Sequence, residues 1–464
     1  MSRTTNARRL ACEVGAACRE RSAFAGDVLD AKLEEISISP QDAAFARVLS
    51  LGVAATRGTL DEVLNRCMNS PSDVRAYVRD ALRVSAYEII FLGKDAYVAV
   101  DQGVGLVRSV EPRASRLANA VLRKVARAAE SFPFGDPTVD DAALARLHGF
   151  PRWLAQVLIV QMGRAEAARF MAACNHPPAI FVGVNAIRSD ERRVQELFLR
   201  DRLIAGEVPI ADLGAPGSPE GPIPGCLKVA DAHTVATGTA RRLFREGAVL
   251  ISDAAAQYIA DLALPEQRPR DFLEIGSGRG TKSVLLQSCT FRRWGAQLDF
   301  VPVDSHPYKI ELLRKRMSAY GCLTERAIAA DARDLSAALG QRTFDAAFVD
   351  APCSGVGTLR RHPEIRWRLR AEEVNDLAKL QLAMVTEASR HVRVGGQLTY
   401  STCSPLATEN EFTVKRFLDA KVGAGYRILP YGKTPEGKPV LFFKSSLQPD
   451  GCDAHFAARL LRVE

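Results

Sequence analysis

The stretch Phe348-Val349-Asp350-Ala351-Pro352-Cys353-Ser354-Gly355-Val356-Gly357 constrains the fold more than any other part of this chain. An apolar run that stops at an acid and then turns through Pro and Gly reads as a buried strand delivering side chains at its carboxyl end. Arg270-Asp271-Phe272-Leu273-Glu274-Ile275 and Leu298-Asp299-Phe300-Val301-Pro302-Val303 read as strands too, and each is followed by a helical pattern. Strands alternating with helices from Gly247 onward predict an α/β domain with a mostly parallel sheet, and such open sheets bind ligands at the carboxyl ends of their strands. A further strand, Gln397-Leu398-Thr399-Tyr400-Ser401-Thr402, ends at Cys403. Free cysteine usually packs as a small hydrophobe. Cys353 and Cys403 differ from that pattern in position, because each follows a strand and stands beside a turn former, Pro352 or Pro405.

The strand at Glu274 runs into Gly276-Ser277-Gly278-Arg279-Gly280, a loop that opens a helix at Thr281 and Lys282. Glycines let a backbone turn tightly and approach a ligand, with the amides of the helix start directed at it. The next strand ends in Asp304, at the distance where a Rossmann-like site places an acid on ribose hydroxyls. After a third strand comes Asp331, where an acid would accept a hydrogen bond from an adenine amino group. Taken singly, Asp304 is a turn residue and Asp331 an N-cap; acid and glycine stations in strand order favour an adenosine site.

The 464 residues are too many for one ordinary core. From Asn6 to about Arg127 apolar residues recur at three and four, which predicts an all-helical region over 1–130. Ser131-Phe132-Pro133-Phe134-Gly135-Asp136-Pro137 reads as a linker. Residues 131–245 combine it with a small α/β adaptor, containing a strand near Phe181-Val182-Gly183-Val184-Asn185, a helix near Glu191, and a surface loop at Pro216-Gly217-Ser218-Pro219-Glu220-Gly221-Pro222. Residues 246–464 form the α/β domain. A net charge of +8 suits a polyanionic partner without requiring one. The ten cysteines contain no Cys-x-x-Cys pair, so no zinc module, and hence no metal, is expected, and a reducing cytoplasm fits best. The basic amino end leads into an apolar stretch cut by Glu13, Arg19 and Glu20, so no signal peptide or membrane span is expected.

These motifs resemble known families. Glu274-x-Gly276-x-Gly278-x-Gly280 with Asp304 and Asp331 looks like the cofactor site of S-adenosylmethionine-dependent methyltransferases. Asp350-Ala351-Pro352-Cys353-Ser354-Gly355 and Ser401-Thr402-Cys403-Ser404 resemble the fourth and sixth motifs of the RNA cytosine C5-methyltransferases, and Arg360-Arg361-His362-Pro363-Glu364-Ile365-Arg366-Trp367 follows as that family has it. The segments Ala81–Leu92, Val98–Val104 and Arg116–Val125 resemble the RNA-binding antiterminator NusB. The combination is similar to the bacterial Sun/Fmu-type enzymes, which methylate cytosine in small-subunit ribosomal RNA. The resemblance implies a Rossmann-like class I methyltransferase domain behind a NusB-like helical domain and an α/β adaptor. It implies S-adenosylmethionine as cofactor, held by Glu274, Gly276, Ser277, Gly278, Arg279, Gly280, Thr281, Lys282, Asp304, Asp331 and Asp350, and ribosomal RNA as partner. The glycine loop departs from the family's Cys-Ala-Ala-Pro-Gly-Gly-Lys and is nearer the general methyltransferase pattern, so the same cofactor is expected.

By the same resemblance Cys403 is the nucleophile and Cys353 assists release. The chemistry explains the need for a thiol, since C5 of cytosine is a poor nucleophile until a thiolate adds at C6. Asp350 would donate near N3 if protonated, accept from the exocyclic amine if charged, or contact only the cofactor. Arg360, Arg361, Arg366, Arg368 and Arg370 are expected to hold phosphates beside the site. Two other readings stand beside this one: a DNA-type cytosine methyltransferase, whose nucleophile is the Pro-Cys thiol, and a non-catalytic RNA-binding factor.

Overall fold

The computed structural model describes residues 6–230, 235, 237–323 and 326–464. The basic residues before Asn6 lie outside them. By packing, the chain forms two compact units, one of residues 1–177 with 358–371 and one of residues 178–357 with 372–464.

The first unit is helical. Six helices, α1 (Asn6–Arg21), α2 (Ala25–Glu35), α3 (Pro40–Cys67), α4 (Ala76–Ile90), α5 (Ala96–Val110) and α6 (Ser115–Ala129), cover the region where periodicity predicts them. Their starts follow local chemistry: Ser39 Oγ accepts from the Asp42 amide with Pro40 in the first turn, and an Asp95 carboxylate oxygen accepts from the Val98 amide. Leu49, Leu60, Leu64, Leu82, Leu106 and Leu122 close the core. Three short helices follow, α7 (Asp141–His148), α8 (Arg152–Met162) and α9 (Arg164–Ala173). Gly163, at φ +79°, separates the last two.

The second unit begins with a four-stranded antiparallel sheet of β1 (Phe181–Val184), β2 (Ile204–Pro209), β3 (Pro222–Val229) and β4 (Val249–Ile251), in the order β2-β3-β1-β4, with α10 (Glu191–Arg200) and α11 (Gly238–Arg245). After α12 (Ala254–Leu262) the predicted alternation sets in: β5 (Asp271–Ile275), α13 (Thr281–Trp294), β6 (Asp299–Asp304), α14 (Pro307–Ala319), β7 (Ile328–Ala329), α15 (Ser336–Leu339) and β8 (Phe344–Asp350). The short helix α16 (Ile365–Arg368) lies in the segment that packs with the first unit. The chain then continues through α17 (Ala371–Arg390), β9 (Val392–Thr402), α18 (Glu411–Asp419), β10 (Tyr426–Leu429), a small hairpin of β11 (Gly432–Lys433) and β12 (Pro439–Val440), β13 (Phe443–Lys444) and β14 (Phe456–Arg462).

The large sheet runs β10-β14-β9-β8-β5-β6-β7, with β13 on β14. Strands β9, β8, β5, β6 and β7 are parallel, and β14 is antiparallel to β9. Alternating residues go to opposite faces, as pleating requires. Phe272 and Phe348 join Leu286 and Leu313 in one core, whereas Leu273 and Val349 join Met384 and Val414 in the other. Helices therefore cover both faces, the arrangement of a Rossmann-like domain. Among the described residues no helix is long and apolar enough to cross a membrane.

Candidate active site

Register brings the two thiols together. Strands β8 and β9 are parallel neighbours with Asp350 opposite Ser401, so the loops leaving them emerge side by side. Cys353 Sγ and Cys403 Sγ lie 3.0 Å apart, and the Cys403 amide donates to Cys353 Sγ at 3.3 Å. Its hydrogen bond to Cys403, with burial reinforcing it, holds the Cys353 thiol well above the ordinary cysteine range.

On the other side of β8 is β5, and its glycine loop meets the end of β8 closely. A Cβ on Gly276 would come within 2.2 Å of the Asp350 carbonyl oxygen, and Gly276 stands at φ +79°. No other residue fits there. The Gly276 and Ser277 amides donate to the Val303 carbonyl at 2.9 and 3.0 Å, and the Gly278 amide donates to Asp304 at 3.1 Å. The second Asp304 oxygen accepts from the His306 amide at 2.9 Å. Since Ala329 pairs with Asp304, Asp331 follows at the same edge, but exposed and clasped by Arg333, whose hydrogen bonds pull it down to about 2. Asp331, Asp304, the glycine loop, Asp350 with Cys353, and Cys403 thus stand in the order of their strands along one sheet edge.

Lys282, in the first turn of α13, forms an ion pair with Asp350, and Ser401 Oγ donates to the same carboxylate at 3.3 Å. Burial opposes the charge of Lys282, but Asp350 together with Cys403 and Cys353 outweighs it and raises the ammonium above its usual range. Glu274 lies lower, fully buried in β5, with a hydrogen bond from Ser283 Oγ; burial pushes it up to about 8. Arg279 is exposed on the loop, and Thr281 Oγ1 accepts from Arg316.

The 16S rRNA methyltransferase RsmB/F family model matches residues 263–460 of this chain, and the NusB family model matches residues 5–127. The Mycobacterium tuberculosis protein MT1451 is 31% identical over 416 residues, covering 87% of this chain and 84% of its own. The chain belongs to the RsmB/F family of 16S rRNA methyltransferases. The ribosomal RNA small subunit methyltransferase B of Pseudomonas putida is 29% identical over 473 residues, 99% of each chain. Among solved structures, PH0851 superposes over the whole of both chains with a TM-score of 0.76 at 19% identity. NSun6 from Pyrococcus horikoshii with SFG covers 68% of this chain and all of its own, with a TM-score of 0.54 at 15% identity. These two likenesses show the fold.

As an RsmB/F methyltransferase, the protein draws its methyl group from S-adenosylmethionine. The loop fits such a group: Ser277 Oγ and Glu274 Oε1 are buried polar atoms without a hydrogen-bond partner, and the Gly276 backbone occupies space that no side chain can enter.

Arg360, Arg366 and Arg368 depart from the expected phosphate-holding surface, whereas Arg370 is exposed. Arg366 is completely buried in the first unit, where it donates to the carbonyls of His148, Gly149 and Cys174 and to Asn175 Oδ1 at 3.0–3.3 Å over the Phe150 ring. Burial lowers it to about 10. Arg360 is also buried, and Arg368 donates to the carbonyls of Ser22 and Ala23. The Arg366 and Arg368 guanidinium groups serve the packing of the helical unit, because they meet carbonyls at helix ends.

Sequence reasoning also missed Glu409. It is fully buried and accepts from the Ser354 amide at 2.7 Å, Ser354 Oγ at 2.6 Å, Ser404 Oγ at 2.5 Å and Gln381 Nε2 at 3.0 Å. The available signal was its position six residues after Cys403, in Thr408-Glu409-Asn410-Glu411, just ahead of a helix.

Proposed function

We propose that this enzyme methylates C5 of a cytosine in small-subunit ribosomal RNA through a covalent bond between Cys403 and C6. The observation that carries this reading is the pair of sulfurs 3.0 Å apart at the ends of adjacent parallel strands, beside the Lys282–Asp350 ion pair. A single nucleophile needs one thiol; a reaction that must also undo the bond has a use for two.

In this reading Cys403 is the sulfur that attacks, as the family resemblance implies, and Cys353 is the second thiol in contact with it. Addition at C6 leaves C5 electron-rich. Asp350, ion-paired with Lys282, is placed to accept from the exocyclic amine and so orient the ring. When bound, S-adenosylmethionine supplies an electrophilic methyl group. The glycine loop, Asp304 and Asp331 would hold its amino-acid, ribose and adenine parts in that order, with Ser277 Oγ free to join them. Transfer of the C5 proton to water then restores the C5–C6 double bond and expels the Cys403 sulfur from C6 as a thiolate, to which the Cys353 thiol donates a hydrogen bond. Residues 1–130 contribute RNA affinity and 246–464 carry the chemistry; of the 131–245 adaptor, residues 178–245 stand in the second unit with the small sheet, whereas α7–α9 fold with the first unit, as does 358–371.

The test is nucleoside mass spectrometry of unmodified 16S ribosomal RNA treated with the enzyme and labelled cofactor. The label should reside in 5-methylcytidine. Label in N4-methylcytidine or in a ribose methyl would overturn the proposal.

A further inference from the structure

The carboxylate of Glu409 receives four hydrogen bonds and gives none, and its donors come from both thiol loops. Ser354 is the residue after Cys353, and Ser404 is the residue after Cys403. The third partner, Gln381 of α17, also donates to the Pro352 carbonyl at 2.9 Å, the residue before Cys353. The neighbouring Asn410 reinforces the same junction: its Oδ1 accepts from Thr402 Oγ1 at 2.6 Å and its Nδ2 donates to the Ser404 carbonyl at 2.8 Å. Tyr400 OH donates to the Glu409 carbonyl at 2.5 Å and fixes the backbone from which the carboxylate projects.

We propose that Glu409 is a positioning residue that sets the separation of Cys353 and Cys403 by tying the residue after each thiol to one buried carboxylate. This rests on the two-thiol reading above. Four converging donors suit an acceptor-only group. A glutamine in its place would turn an NH2 donor toward other donors, and an aspartate would keep the charge but fall one methylene short of the two loops. Both changes leave the strands, Lys282, Asp304 and the glycine loop in place.

The experiment compares wild type, Glu409→Gln and Glu409→Asp by three readouts: cofactor affinity, steady-state kinetics on 16S ribosomal RNA, and the rate at which diamide oxidises Cys353 and Cys403 to a disulfide, followed by peptide mass spectrometry. Glu409→Gln should bind cofactor as wild type does, keep its KM for RNA, lose roughly a hundredfold in kcat, as misplacement by about an ångström does, and form the Cys353–Cys403 disulfide more slowly. Glu409→Asp should recover part of both rates. If Glu409→Gln does not fold, the double variant Ser354→Ala with Ser404→Ala removes two of the four donors and should show the same split. Wild-type kcat and disulfide rate in a folded variant would overturn the proposal. A slowed disulfide with an enzyme that forms no covalent RNA adduct at all would uphold the positioning role and fail the two-thiol chemistry instead.

Discussion

Asp304 holds the Gly278 amide with one carboxylate oxygen and the His306 amide with the other, so a buried acid at the end of β6 both shapes the glycine loop and keeps lone pairs for a ligand. A hydrogen bond to a charged group contributes about 1.5–3 kcal/mol. Asp304→Ala should therefore weaken S-adenosylmethionine binding by roughly ten- to a hundredfold, since about 1.4 kcal/mol is a factor of ten. Calorimetry on the full chain checks this, and an unchanged dissociation constant would move the ribose contact to another side chain. Asp304 and the glycines were legible in the sequence because a strand end, a turn and a helix start are local signals. Glu409 was not. An acid beside Asn just before a helix reads as an exposed cap, and only the pairing of β8 with β9, fifty residues apart in sequence at Cys353 and Cys403, turns it into a shared buried acceptor.

Among the elements, α5 and α6 of the NusB-like bundle enclose an open groove of about 660 Å³ that Tyr97, Asn119, Arg123 and Arg127 help to line, with Tyr97 82% exposed. Guanidinium groups beside an exposed ring suit a polyanion that also presents bases. Reversing Arg123 and Arg127 together to Glu should weaken RNA binding and lessen its salt dependence, by about one unit of log–log slope for each phosphate that is no longer neutralised. Cofactor affinity should not change. Equal RNA affinity across a salt titration would remove these helices from the RNA-binding surface. Helical periodicity made α1–α6 readable because each buries a stripe of its own sequence. Arg366 misled for the opposite reason: a guanidinium is drawn the same way in sequence whether it faces phosphate or a cage of carbonyls at the ends of α7 and α9.

At the scale of the whole molecule, residues 358–371 leave the methyltransferase unit and fold with the helices of the chain's first part. Glu364 accepts from the Ala25 amide at 2.7 Å, placing a carboxylate at the start of α2, and the Trp367 indole donates to the Ala55 carbonyl at 2.7 Å. Gly58 leaves room for that indole, since a Cβ there would lie 2.1 Å from it. Nothing local in Arg360–Trp367 marks it as part of a helical bundle; the partners are supplied by tertiary packing. Alternation, by contrast, made the α/β class and the strand-end positions of Cys353 and Cys403 readable, whereas their meeting comes from the parallel pairing of β8 with β9. The proposed chemistry depends on that meeting, and denaturing electrophoresis of enzyme mixed with 16S ribosomal RNA and cofactor tests it most directly. Cys353→Ala should accumulate a covalent protein–RNA complex, while Cys403→Ala and the double variant should show none. An adduct that is lost in Cys353→Ala and kept in Cys403→Ala would contradict the assignment of Cys403 as nucleophile.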